Sequence, residues 1–276
     1  MALRSALFAA SLLLIATPAA SEPGVLELEP LRERLRTIEV EINGQTGRFM
    51  LDTGGGLTTI TPAFAEKIGC TPWGRTSGPN MFGEILDLQR CDGIVIHSGG
   101  VELGSTTVGV FDPTHLLQPG QAAPEGSLAL DVFKDKVITL DVAGNRLILE
   151  DAESLARRIE GAIELPMRTS REVFAFDAYV GVDVPLGRLW FLLDSGAGGV
   201  LLVARDNAEA FGLDPAAEGP QPLKFDLAPG LPVEGLAVTP AMMLQGNLGM
   251  PFMKDYVLTM DFPNQRLWAK RVDRPN

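Results

Sequence analysis

The sequence predicts an all-β protein built from two homologous lobes related by an approximate two-fold axis. Three observations carry this expectation. The chain repeats itself at fixed offsets; apolar and polar residues alternate along many short stretches; and two continuous apolar runs end in the same Asp-[Thr/Ser]-Gly signature. Thirty glycines and twenty prolines in 276 residues supply the turns that such closely spaced strands require.

The repeat is the strongest of the three. At an offset of 142, Val40 faces Val182, Ile42 faces Val184, Phe49-Met50-Leu51 faces Phe191-Leu192-Leu193, and Asp52-Thr53-Gly54 faces Asp194-Ser195-Gly196. Each copy reads as an alternating strand, a turn, and then an uninterrupted apolar strand of the kind buried on both faces. A second pair of segments begins at Gly126 and Gly246, an offset of 120, with nine identities across the 22 positions 126–147. Each reads as a strand, a turn such as Ala143-Gly144-Asn145, and a returning strand. The offset falls from 142 to 120, so the second copy is 22 residues shorter between its landmarks, which leaves it a small flap or none.

Local punctuation supplies the helices. Thr61 is an N-cap, Pro62 fits the first helical position and Gly69 ends the turn; the equivalent stretch of the second copy, Asn207–Phe211, closes on Gly212. Leu155 and Ile159 stand at helical spacing in a short connector. The expected organisation is an export signal over 1–21, a first lobe over 22–150, a linker helix over 151–162 and a second lobe over 163–276. Arg4 followed by an apolar stretch from Ala6 to Ala16 and a small-residue cut region make the signal, and that stretch is too short to span a bilayer comfortably. The expectation is therefore a periplasmic or secreted protein, monomeric, with no membrane span after signal removal. Gly24–Arg36 reads as a strand joining the lobes, with a pro-segment as the alternative.

A formal charge of −12 repels phosphate backbones and argues against nucleic-acid binding. Cys70 and Cys91 are the two cysteines. In an oxidising compartment they are disulfide candidates, worth roughly 3 kcal/mol by loop-closure entropy; two separate buried thiols are the other possibility. Neither His97 nor His115 belongs to an HExxH pattern, no Gly-x-Ser-x-Gly elbow is present, and Gly196-Ala197-Gly198-Gly199 lacks the context of a dinucleotide loop. No metal or cofactor is expected.

The duplicated aspartates carry the chemistry. A charged residue ending a buried apolar strand is unfavourable without a purpose, and a two-fold axis brings two such residues face to face. Two carboxylates at hydrogen-bonding distance share one proton and titrate as a unit, placing a general base beside a general acid. The ionised member activates water and the protonated member donates to a peptide carbonyl. Gly54 and Gly196 let the backbone turn close to the carboxylates, while Thr53 and Ser195 supply hydroxyls able to brace the loops across the axis.

Phe-Met-Leu-Asp-Thr-Gly and Phe-Leu-Leu-Asp-Ser-Gly-Ala resemble the active-site loops of the aspartic peptidases, the retropepsin and pepsin group, and GSLALDVF and GNLGMPFM resemble that group's second landmark. The resemblance covers residues 36–150 and 163–270. It implies two retropepsin-like closed-barrel lobes forming a pseudo-two-fold bilobal aspartic peptidase, with Asp52 and Asp194 as the catalytic dyad. It also implies a flap over the cleft, near Gly78–Gly83, with Met81 and Phe82 as its apolar cover. Gly55 and Ala197 stand where pepsins carry a hydroxyl residue. Without that donor the dyad should ionise at higher pH, giving an optimum in the range of roughly pH 5–7. The expected partner is an extended peptide or protein substrate. The rival reading is a cleft that binds an extended peptide without cutting it.

Overall fold

The computed structural model describes residues 24–32, 34–116 and 121–272; the segment read as an export signal lies outside them. The first half contributes β1 (Val25–Leu31), β2 (Leu35–Ile42), β3 (Gln45–Leu51), β4 (Thr59–Ile60), β5 (Trp73–Pro79), β6 (Ile85–Ser98), β7 (Val101–Val110), β8 (Gly126–Leu128), β9 (Val137–Asp141) and β10 (Arg146–Leu149). The second contributes β11 (Ile163–Glu172), β12 (Ala175–Val184), β13 (Gly187–Leu193), β14 (Leu201–Val203), β15 (Gln221–Ala228), β16 (Leu231–Val238), β17 (Gly246–Leu248), β18 (Tyr256–Asp261) and β19 (Arg266–Arg271).

Alternation forms these strands. On β2, Ile38, Val40 and Ile42 turn into the core while Glu39 and Glu41 face solvent, the period-2 pattern of a half-buried strand. On β13, Phe191, Leu192 and Leu193 are all buried, as the uninterrupted apolar run requires. Short helices punctuate each lobe: α1 (Pro62–Lys67) is capped by Thr61, whose side chain accepts from Phe64 N–H, and α2 (Ala152–Arg158) opens on a capping box between Asp151 and Ser154. The stretch ending at Gly212 is a 3₁₀ helix beginning at Arg205, tighter than its counterpart α1. The helices dock through equivalent aromatics: Phe49 meets Phe64 edge-on at 5.3 Å and Phe191 meets Phe211 at 5.5 Å. Gly126 and Gly246 are equivalent for the same reason, since a Cβ at either would overlap the ring of Phe49 or Phe191.

In the first lobe β2, β3, β8, β4, β7 and β6 form a closed ring, completed where Glu41 pairs with His97. His97 thus sits in a strand of the barrel wall. The second lobe follows the same course through β12, β13, β17, β14, β16 and β15. There, β15 packs against β11 and β12, and no ladder between β15 and β12 is found among the described residues. The hairpin formed by β5 and the outer half of β6 has no equivalent in the second lobe, which accounts for its shorter span.

A third layer joins the lobes. Strands β1, β10, β9, β18, β19 and β11 form a six-stranded antiparallel sheet, three from each half. Its middle pair is symmetric about Thr139 and Thr259, whose hydroxyls lie 2.9 Å apart, so the pseudo-two-fold axis passes between them. β1, within the stretch expected to join the lobes, is a strand of this sheet and also pairs with β2 of the barrel. No described helix is long and apolar enough to cross a membrane.

Candidate active site

Asp52 and Asp194 follow β3 and β13, and parallel pairing places both strands beside the second landmark. Asp52 N–H donates to Leu128 C=O at 2.9 Å and Asp194 N–H to Leu248 C=O at 3.1 Å, so both aspartates leave their strands at equivalent points. The next residues lock the lobes together. Thr53 Oγ1 accepts from Ser195 N–H at 2.9 Å and donates to Leu193 C=O at 2.8 Å. Ser195 Oγ accepts from Thr53 N–H at 3.0 Å and donates to Leu51 C=O at 2.8 Å. All four bonds cross the axis, and both hydroxyls are buried.

Gly54 and Gly196 bring the loops within reach of each other's carboxylate. A Cβ on Gly54 would overlap Asp194, and one on Gly196 would overlap Asp52. The two carboxyls thus face each other across the axis, near enough for the charge of one to bear on the other. Burial, then the adjacent Asp194 carboxyl, push Asp52 up to about 8, against smaller opposing contributions from Gly54 N–H and Ser127. The cause is the one expected for two acids in one site: a second negative charge is unaffordable in a poorly hydrated cleft.

The pair is unequally held. Asp194 is buried and accepts from Gly196 N–H at 2.8 Å, Ala197 N–H at 3.1 Å and Asn247 Nδ2 at 2.6 Å. Asp52 is partly exposed and accepts from Gly54 N–H at 3.3 Å and Ser127 Oγ at 3.5 Å, both long. Ser127 and Asn247 are equivalent residues, 120 apart. Sequence reasoning passed over both. It sought a hydroxyl donor at positions 55 and 197, whereas the side-chain donors arrive from β8 and β17. The available signal was a polar residue between Gly and Leu in each copy of an otherwise apolar landmark.

Two further carboxyls flank the site. Asp131 is buried behind the first loop, where it accepts from Thr58 N–H at 3.2 Å, Thr58 Oγ1 at 2.5 Å and Thr106 Oγ1 at 2.8 Å; burial nevertheless raises it to about 6. Asp177 on β12 lies beside Gly56, where a Cβ would be 3.5 Å from its carboxylate oxygens. Burial first, then the charges of Glu172, Asp194 and Asp131, raise it to about 7.

The β5–β6 hairpin is the segment that the sequence resemblance implies to be a flap. Its tip, Asn80–Glu84, is fastened by Asn80, whose Oδ1 accepts from Phe82 and Glu84 N–H at 2.9 and 3.0 Å. Met81 C=O accepts from Met243 N–H of the second lobe at 2.9 Å, so the tip rests on the opposite rim. Met81 is half-buried and Phe82 is 51% exposed. Cys70, just beyond α1, and Cys91, on β6 behind the flap, form a disulfide.

Residues 38–131 match the family model described as an aspartyl protease. Among solved structures, the chain is similar to basic 7S globulin from soybean (10% identity, 90% of this chain and 94% of that one, TM-score 0.57). It is likewise similar to conglutin gamma, a unique basic 7S globulin from lupine seeds (9% identity, 91% and 95%, TM-score 0.60). The fold is pepsin-like. No curated protein sequence matches the chain. The pepsin-like architecture is mainly β, with one closed six-stranded barrel, and the two-lobed likeness spans nearly all of this chain and of both globulins.

Proposed function

We propose that this pepsin-like protein is an aspartic endopeptidase that hydrolyses peptide bonds with water held between Asp52 and Asp194. The observation that carries the proposal is the facing carboxyl pair, braced by four bonds across the axis. Such a pair is costly to hold together, and a cleft that only binds peptide gains nothing from it. The ionised carboxylate takes a proton from water as its oxygen attacks the carbonyl carbon, and the protonated carboxyl gives its proton to the carbonyl oxygen. As the C–N bond breaks, the amine leaves with the proton taken from water, and the diol returns the other proton to the dyad. The Cys70–Cys91 disulfide supports an oxidising compartment, in keeping with export by the N-terminal segment and a periplasmic or secreted location.

Cleavage of a mixed peptide library across about pH 3.5–7.5 tests the reading. Wild type should cut, and Asp52→Asn or Asp194→Asn should each lower kcat by at least about 10³-fold, since each residue carries a proton the other cannot. A folded wild type that binds library peptides and cleaves none would favour the binding role instead.

A further inference from the structure

The two lobes repeat so closely that the unequal donors at the dyad stand out. On the second-lobe side the outer carboxylate oxygen, Asp194 Oδ2, receives a short bond from Asn247 Nδ2 at 2.6 Å. On the first-lobe side the equivalent oxygen, Asp52 Oδ2, has only Ser127 Oγ at 3.5 Å. The inner oxygen shows the same bias: two backbone N–H groups at 2.8 and 3.1 Å serve Asp194, against one at 3.3 Å for Asp52.

Donors stabilise a carboxylate in its ionised form. Asn247 is fully buried, and its own Oδ1 meets no donor. The amide therefore leaves a buried oxygen unpartnered in order to turn its N–H toward Asp194. Reversed, the amide would turn its oxygen toward Asp194 Oδ2, which only a protonated Asp194 could satisfy. We infer that Asn247 is a positioning residue that keeps Asp194 as the ionised member of the pair and leaves the shared proton on Asp52. Asp177, beside Gly56 on the other flank, is a third acidic group, and its charge bears on Asp194; it works against an ionised Asp194, and the Asn247 bond is what offsets it.

The mechanistic consequence rests on the peptidase reading: Asp194 becomes the base that takes the proton from water, and Asp52 the acid that protonates the carbonyl oxygen. Asn247 touches neither water nor substrate in this account; it decides which carboxyl does which.

Carboxyl-labelled aspartate NMR of the purified protein, titrated from about pH 3 to 9 and assigned with Asp52→Asn and Asp194→Asn, reads the proton's location without needing turnover. The expected result is an interval around neutral pH in which the Asp194 signal is that of a carboxylate and the Asp52 signal that of an acid. Asn247→Leu should abolish that separation, and Asn247→Ser, which copies the other lobe, should retain part of it. In hydrolysis assays Asn247→Leu should lower kcat/KM about 10-fold on the acid limb, by moving that limb to higher pH, and far less at the optimum. A protonated Asp194, or a separation unchanged in both Asn247 variants, overturns the inference. Absence of hydrolysis with the separation intact strikes the peptidase reading and leaves the inference standing. Hydrolysis with no separation strikes the inference alone.

Discussion

Thr53 and Ser195 each work twice, accepting one bond from the opposite loop and donating another to it. Thr53→Val therefore strands both Ser195 N–H and Leu193 C=O in a buried site, where an unpaired polar group costs about 1–3 kcal/mol. Urea denaturation should show a loss of at least that size, with Ser195→Ala similar. Asp52 has a stability signature of its own. Its folded-state affinity for a proton is raised from the ordinary carboxyl range to about 8, so protonation favours the folded state. That stabilisation is complete below about pH 4 and is lost progressively as pH rises toward 8. Asp52→Asn removes the dependence: it should stabilise the protein by on the order of 1 kcal/mol or more at pH 7–8 and little at pH 4, read from urea midpoints at the two values. At this scale the aspartates, glycines and bracing hydroxyls were legible because they recur in order within a repeat. Ser127 and Asn247 were not, since their meaning depends on parallel pairing with strands 75 and 53 residues away from the carboxylates they touch.

Among the elements, the flap is the least symmetric. Its presence in one lobe was written in the 22 residues by which the offsets differ, and its tip in the turn residues between Pro79 and Glu84. Its contact with the second lobe was not, because Met81 C=O meets a backbone N–H, and any residue except proline offers one. Asn80 fastens that tip through three bonds. Asn80→Ala should loosen closure over a bound peptide and raise KM about 3–10-fold with less effect on kcat, as expected for a lid residue remote from the reacting atoms; steady-state kinetics on one library-derived peptide would measure it. The disulfide ties α1 to the strand behind this hairpin across a separation of 21 residues. Replacing both cysteines with alanine should lower unfolding free energy by about 3 kcal/mol, a loss visible in denaturant titration. The closed ring of the first lobe could not be told from the more open course of the second by pattern alone, since alternation specifies faces and leaves ring closure to a single pairing such as Glu41 with His97.

For the molecule as a whole, duplication announced a two-fold arrangement, and the structure supplies its pivot at Thr139 and Thr259. The sheet beneath the cleft was legible as two hairpins and illegible as one surface, because neither hairpin encodes its partner. That shared sheet has a consequence for ancestry and for engineering. Val137–Asp141 and Tyr256–Asp261 cover each other's edge in a self-complementary register, as two identical subunits meeting about a dyad would. The only covalent link between the halves runs through the exposed helix Ala152–Arg158. The chain thus pairs its halves as a two-fold dimer pairs its subunits: severed at that helix, its two fragments carry matching edges and should find each other again.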